Sequence, residues 1–204
     1  MALFLKGLAF GFVLAATVGP MWVLCFRRTV AQGRLVGFVS GMGIAVADGF
    51  YGAVAAFGLT AISGVLLRYS FWIGLIGAVF LIYLGIKTLL SHPALENASE
   101  EKTNLANAFL STLGLTLANP PTILAFAAIF AGLGLVSDAD YGPAALIVAA
   151  VFIGSASWWV ILAAGAGWLR ERIGPGLLRG INVVSGLSIL GFAAWQLLQI
   201  AKDL

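Results

Sequence analysis

Charged side chains are scarce in this chain. They make up 9% of its 204 residues, whereas a soluble domain carries about 25%, so a water-soluble globule is excluded. Cysteine and histidine occur once each, as Cys25 and His92, which excludes a disulfide framework and intramolecular dithiol chemistry. The sequence has no grouping of His, Ser and acidic residues and no nucleotide-binding loop. We therefore expect neither an enzymatic centre nor a cofactor.

Hydrophobic residues are abundant instead and make up 61% of the chain. A helix needs about 20 apolar residues to cross a bilayer. Six stretches are long enough, at about 3–25, 35–61, 69–90, 105–131, 143–168 and 180–201. They are continuously apolar rather than alternating at period two, which favours helices over membrane strands. The sequence therefore predicts an all-α membrane protein with six transmembrane helices in one domain over residues 1–204.

Two proline dipeptides divide the chain into similar halves. Gly19-Pro20 and Asn119-Pro120 lie one hundred residues apart, each inside the first apolar stretch of its half. Proline removes a backbone donor and clashes with the preceding turn, so each helix should break there. Broken helices at matching places in two halves are typical of a transporter's binding site. The predicted units are repeat one at about 1–90, a linker at about 91–104 and repeat two at about 105–204.

The distribution of positive charge favours one orientation. Three basic residues, Lys6, Arg68 and Lys202, lie on one side of the predicted membrane. Eight lie in the predicted loops on the other side, namely Arg27, Arg28, Arg34, Lys87, Lys102, Arg170, Arg172 and Arg179. The positive-inside rule then places the 91–104 linker in the cytoplasm and both termini outside. With three spans per half, the second repeat enters the membrane from the opposite side, so the two repeats are inverted.

Asp48 is the only ionisable side chain deep inside an apolar stretch. Small residues recur every four positions around it, from Gly37 through Gly41 to Gly49. This pattern is typical of close helix contact, so Asp48 should point into the bundle. A lone acid there costs about 2.5–3.5 kcal/mol unless it is paired, hydrated or protonated. We interpret Asp48 as a proton or cation coupling site that also suits a substrate amine. The alternative is a neutral carboxyl hydrogen-bonded to a neighbouring helix or to broken backbone.

Further candidate binding residues lie at the breaks and in the middle of the bundle. Backbone groups freed at Gly19, Pro20, Asn119 and Pro120 can bind the charged groups of a solute. The nearby polar side chains and the deep aromatic side chains that complete the candidate set are Thr17, Thr116, Thr122, Tyr51 and Trp158. Each has a structural alternative, which is capping of freed carbonyls for the threonines and plain packing for the aromatics.

Four segments resemble the LysE/RhtB family of amino-acid exporters. They read TVGPMWVLCFRRTVAQGRLVGFVSGMGIAVADGFYGAVAAFGL, WIGLIGAVFLIYLGIKTLL, FLSTLGLTLANPPTILAFAAIFAGLG and INVVSGLSILGFAAW, and the likeness covers nearly the whole chain. The resemblance implies a protein of the bacterial inner membrane that exports amino acids or similar small metabolites. It also implies that the family's paired motifs fall on Gly19-Pro20 and Asn119-Pro120, and its acid on Asp48.

We therefore expect a secondary transporter that exports amino acids or amino-acid-like metabolites, with Asp48 coupling export to the proton gradient. The expected partners are this small-molecule solute, a proton or another coupling ion, and membrane lipid. A homo-oligomer is compatible with the sequence, and nucleic acid is not expected. The alternative is a divalent metal cation exporter of a related membrane family, which needs several converging oxygen or nitrogen ligands.

Overall fold

Seven helices form the part of the chain that the computed structural model describes, which comprises residues 1–57, 68–91, 104–119, 122, 126, 141–170 and 172–202. In chain order they are α1 Ala2–Ala16, α2 Pro20–Gln32, α3 Arg34–Ala56, α4 Ser70–Leu90, α5 Leu105–Leu117, α6 Tyr141–Arg170 and α7 Pro175–Lys202. These residues contain no strand. The predicted all-α class is confirmed.

Four of these helices are long and apolar enough to cross a bilayer, namely α3, α4, α6 and α7. Helices α1 and α2 pass the same test together and make a fifth candidate span, bent by 73° at the break between them. Helix α5 has only 13 residues and covers the first half of the predicted 105–131 span. Most of the second half of that span lies outside the described residues, so the multi-pass character is confirmed and the six-span arrangement stays a prediction.

The first break lies at the predicted dipeptide. Helix α1 ends at Ala16, Gly19 has an extended backbone, and Pro20 is the first residue of α2. Proline suits this position because the first N–H of a helix has no intrahelical partner. The hydroxyl of Thr17 donates to the Val13 carbonyl at 3.0 Å, which satisfies one acceptor at the end of α1. The break therefore leaves the backbone between Ala16 and Pro20 irregular.

The second break follows the same pattern up to the limit of the described residues. Helix α5 ends at Leu117, two residues before Asn119. The Asn119 amide donates to the hydroxyl of Thr122 at 2.9 Å, and the backbone N–H of Asn119 donates to the Thr116 carbonyl at 3.1 Å. The predicted proline of this break, Pro120, lies outside the described residues.

Several basic residues assigned to loops lie inside helices, among them Lys87 in the last turn of α4 and Arg179 in α7. Helix α2 runs to Gln32, so Arg27 and Arg28 lie within it and are half-buried. The loop assignment of these two residues was wrong, because α2 begins only at Pro20 and therefore continues beyond the predicted end of the span near residue 25. Gly33, with φ 107°, then turns the chain directly into α3, a backbone conformation that glycine adopts without strain.

The helices pack around a central α2, which contacts α3, α6 and α7. Around it, α1 packs on α6, α6 on α3, α3 on α5, and α4 on α7. Glycines allow the closest approaches, since a Cβ at Gly11 would meet the Val151 backbone and one at Gly41 would meet Trp159. The predicted small-residue ridge on α3 is therefore a real contact surface, and it sets Asp48 against α6.

Candidate functional site

A cavity of about 400 Å³ lies between the two breaks and is called the Asp48 cavity below. Seven of the site residues predicted from the sequence line this cavity, namely Thr17, Gly19, Pro20, Asp48, Thr116, Asn119 and Thr122. Val18, between two of them, lines it as well. The cavity volume falls in the range of about 300–1,000 Å³ that is typical of small-molecule sites. Segments from both halves of the chain therefore border one space.

Asp48 is the only acidic residue among the described residues that line this cavity, and its side chain is 2% exposed. The Ser155 hydroxyl on α6 donates to the Asp48 Oδ2 atom at 2.7 Å. The Trp159 indole N–H in turn donates to the Ser155 hydroxyl at 3.3 Å. Within the described part of the chain no basic side chain pairs with Asp48. The carboxyl group thus accepts from one neutral hydroxyl, and among the described residues no side chain supplies a positive charge, which leaves a proton, a cation or a solute to do so.

The rest of the wall combines four aromatic side chains with aliphatic residues and one amide, Gln196. Trp22, Trp159, Phe192 and Trp195 line the cavity. Trp22 stacks on Phe26 with ring centroids 5.3 Å apart. Its indole N–H is buried and has no hydrogen-bond partner among the residues described, and such a donor in a native structure calls for an explanation. None of the wall residues that the structure describes is a lysine, arginine or histidine, so this wall suits an apolar body that carries a positive group.

Two of the predicted site residues lie elsewhere. Tyr51 is 2% exposed and its hydroxyl donates to the Leu117 carbonyl at 2.6 Å. It therefore packs α3 against the end of α5. Trp158 packs edge-on against Phe12 at 5.4 Å and does not line the cavity. Both occupy the packing role that the sequence left open as an alternative.

The sequence analysis missed Ser155 and Trp159, which form the hydrogen-bonded chain to Asp48. A signal was present, because the two residues are four apart on one helix and so share a face. Neither hydropathy nor charge distinguishes that face, however, because α6 is apolar all round. Only its packing against the α3 ridge shows which of the adjacent tryptophans, Trp158 or Trp159, faces the acid.

The ligand set for a divalent cation is small. Among the described residues no three His, Cys, Asp or Glu side chains converge. A hard cation in the Asp48 cavity would depend on one carboxyl group together with hydroxyl, amide and backbone oxygens, fewer charges than such ions usually receive from protein.

The comparisons with known proteins agree with this picture of a membrane translocator. The family described as "LysE type translocator" matches residues 12–199. The chain is 28% identical over its full length to the "Putative amino acid efflux protein YcgF" of Bacillus subtilis (strain 168), covering 99% of that protein. It is also 28% identical, over 97% of its length, to the "Chemotactic transduction protein ChpE" of Pseudomonas aeruginosa, covering 98% of that protein. No solved structure matches the chain significantly.

Proposed function

The chain belongs to the LysE type translocator family, and from this premise we propose that it is a secondary transporter exporting amino acids or amino-acid-like metabolites from the cytoplasm. Family membership makes it a multi-pass protein of the bacterial inner membrane that moves a small molecule rather than converting one. The observation that carries the choice of solute is the Asp48 cavity, where a buried acid and two helix breaks border one aromatic-walled space.

The chemistry of the cavity favours a solute with an ammonium group. A lone carboxyl group without a basic partner attracts a cation, and aromatic faces add cation–π attraction. The hydroxyls of Thr17, Thr116 and Thr122 and the Asn119 amide line the same space and can orient a second polar group of the solute. The described part of the wall holds no cation, which disfavours a solute with an acidic side chain. An amino acid with an apolar or aromatic side chain fits this combination best.

Asp48 is also the proposed coupling residue. An isolated carboxyl group in a membrane span is costly to keep charged. Binding of a proton or of the solute ammonium neutralises it, and the two compete for the same oxygen atoms. Exchange of one for the other would link outward solute movement to inward proton movement, as expected from the sequence.

The proposed transport movement is a rocking of two inverted repeats. If the two halves are related by a two-fold axis, α3 is equivalent to α6 and α4 is equivalent to α7, so each pair can meet at the axis. The same axis would also relate the α1–α6 contact to the α5–α3 contact. All four of these contacts occur, which supports the inverted repeat. The Asp48 cavity would then lie at the axis between the repeats, as in other transporters with broken helices.

A metabolite profile tests the function. Cells with and without the protein are loaded with dipeptides that release apolar or aromatic amino acids, and the medium is assayed over time. We expect one or more of these amino acids to accumulate outside only when the wild-type chain is present, with Asp48→Asn as the matched inactive control. If the two strains release equal amounts of every amino acid and differ only in metal content, amino-acid export is wrong and the cation alternative holds.

A further inference from the structure

A second and larger cavity lies between α4 and α5, with α2 as its floor. Its volume is about 820 Å³. Three cations line it, namely Arg27 and Arg28 from α2 and Lys87 from the last turn of α4. No acidic residue is among the described residues of its wall. This space is called the basic cavity below.

Arg28 is held by neutral acceptors only. It donates to the hydroxyls of Ser40 at 3.0 Å and Ser111 at 2.8 Å, and to the Ala108 carbonyl at 3.0 Å. No carboxylate accepts from it within the described part of the chain. The guanidinium is therefore oriented but its charge is not neutralised. A half-buried cation in this condition favours an anion as its remaining partner.

Lys87 adds a second charge on the opposite wall. Its side chain is exposed into the space between α4 and α5, and no described residue accepts a hydrogen bond from it. The neutral polar residues in the same wall are Gln32, Tyr83, Thr88, Asn104, Asn107 and Ser111. An oxyanion between Lys87 and Arg28 would meet cations from two sides and amide and hydroxyl donors around them.

The basic cavity adjoins the Asp48 cavity. Leu24 and Leu115 line the basic cavity, are each 2% exposed, and pack in one apolar cluster with Ile44 and Trp159, which line the Asp48 cavity. Ser40, beside Arg28, lies eight residues before Asp48 on α3, which is about 12 Å along the helix axis. One apolar layer therefore separates the cation cluster from the acid.

We propose that the basic cavity is an oxyanion site that receives the carboxylate of the solute before the solute passes the Leu24–Leu115 layer. This inference rests on the proposed export of amino acids. Its cations belong to the side that the charge distribution places in the cytoplasm, where an exported solute must bind first. The two cavities then act in sequence on the two charged groups of one α-carbon, first binding the carboxylate at Arg28 and Lys87 and afterwards the ammonium at Asp48.

Two half-substrates separate the sites. N-acetylphenylalanine has the carboxylate without the ammonium, and phenylalaninamide has the ammonium without the carboxylate. Binding of each radiolabelled compound is measured on the full chain in phosphatidylcholine nanodiscs at low ionic strength. Arg28→Gln removes three packing hydrogen bonds and can fail to fold, so Lys87→Gln is the decisive variant. Lys202→Gln, at the exposed end of α7, is the matched control.

We expect Lys87→Gln to weaken N-acetylphenylalanine binding roughly tenfold or more, because a charge-assisted hydrogen bond is lost. Lys202→Gln should leave that binding unchanged, and phenylalaninamide should bind wild type and Lys87→Gln equally. Equal N-acetylphenylalanine binding by wild type and Lys87→Gln would overturn the proposal.

Two further binding measurements distinguish the solute carboxylate from free phosphate and from a lipid headgroup as the occupant of the basic cavity. If the protein binds inorganic phosphate but does not bind N-acetylphenylalanine, the carboxylate assignment is wrong. Loss of N-acetylphenylalanine binding when phosphatidylglycerol replaces phosphatidylcholine would also overturn it, because a lipid headgroup would then be the occupant. Failure of phenylalaninamide alone would count against the amine site at Asp48 and leave the carboxylate site standing.

Discussion

Ser155 on α6 donates a 2.7 Å hydrogen bond to Asp48 on α3, across 107 residues of sequence. This bond joins the two halves of the chain at the one buried acid of the Asp48 cavity. The same two helices are those that an exchange of the halves would pair. A rocking movement of the halves would therefore act directly on the contact that holds the carboxyl group.

Replacement of Asp48 by Asn tests coupling. Asn keeps the size of the side chain and can still accept from Ser155, but it cannot exchange a proton at physiological pH. The protein should insert and fold normally, because a neutral polar group is cheaper to bury than a charge. Gradient-driven export in reconstituted vesicles should stop, and any downhill flux should lose its dependence on pH. Wild-type rates in Asp48→Asn vesicles would end the coupling proposal.

Asp48→Leu separates coupling from packing. Leucine would crowd the small-residue ridge around Gly41 and disturb assembly, which can be measured as the yield of folded protein in detergent. If Asn retained full, pH-dependent export while Leu prevented assembly, the role of Asp48 would be structural only.

Ser155→Ala should lower both transport and stability. It removes the donor to Asp48 and the acceptor of the Trp159 indole N–H. Interhelical hydrogen bonds in membrane proteins contribute about 0.6 kcal/mol on average and up to about 1.7, so a small decrease in unfolding temperature is expected. Ser157→Ala is the matched control, because Ser157 is exposed and bonds only the Ile153 carbonyl of its own helix. Equal effects of the two variants would argue against a special role for the Ser155 hydroxyl.

Trp22→Phe tests whether the buried indole N–H serves the solute. Phenylalanine keeps an aromatic ring beside Phe26 but removes the N–H donor together with part of the ring volume, a loss of volume that the Trp158→Phe control shares. We expect solute affinity to fall about fivefold, the equivalent of one hydrogen bond of about 1 kcal/mol, in a vesicle uptake assay. Trp158→Phe is the control, because the Trp158 N–H is equally unpartnered among the described residues but does not line the Asp48 cavity. The idea fails if the two variants lose affinity to the same extent.

Gly11→Ala should destabilise the protein by separating α1 from α6. The added Cβ would meet the Val151 backbone, which cannot move without shifting the whole helix. Overpacking of this kind costs about 1–3 kcal/mol, which thermal unfolding in detergent would detect. Gly165→Ala on α6 should be neutral or slightly stabilising, because nothing lies within 4 Å of its Cβ position and alanine favours a helix. A normal unfolding temperature for Gly11→Ala would mean that the two helices are not in close contact.

The orientation can be tested with a single cysteine. Removal of the inward-pointing Arg27 and Arg28 from the count still leaves six basic residues on the predicted cytoplasmic side and three on the other. After replacement of the buried Cys25, a cysteine at position 99 should resist impermeant thiol reagents in intact cells and react in inverted vesicles. Ready labelling in intact cells would reverse the predicted topology.

The membrane environment of this protein and the position of its first helix break follow from the amino-acid order alone. Scarce charge and long apolar stretches place most of the chain in a bilayer, because backbone polar groups in lipid must bond within their own helix. Proline determined the first break, since it has no N–H to donate and so begins α2 at position 20 rather than continuing α1. Asp48 was recognisable because a lone acid in an apolar stretch is costly wherever the helix packs.

Which side chains face one another depends on how the helices pack in three dimensions. Hydropathy cannot separate Trp158 from Trp159, and it cannot show that Tyr51 bonds the Leu117 carbonyl instead of lining the Asp48 cavity. Nor could it place Arg28 against Ser40 and Ser111, because charges near the end of an apolar stretch look like loop residues in a linear reading. Those partners come from distant segments, and close packing at the glycines fixes their rotation about the helix axes. The depth of a residue in the membrane can therefore be predicted from the sequence, whereas the direction of its side chain depends on helix packing.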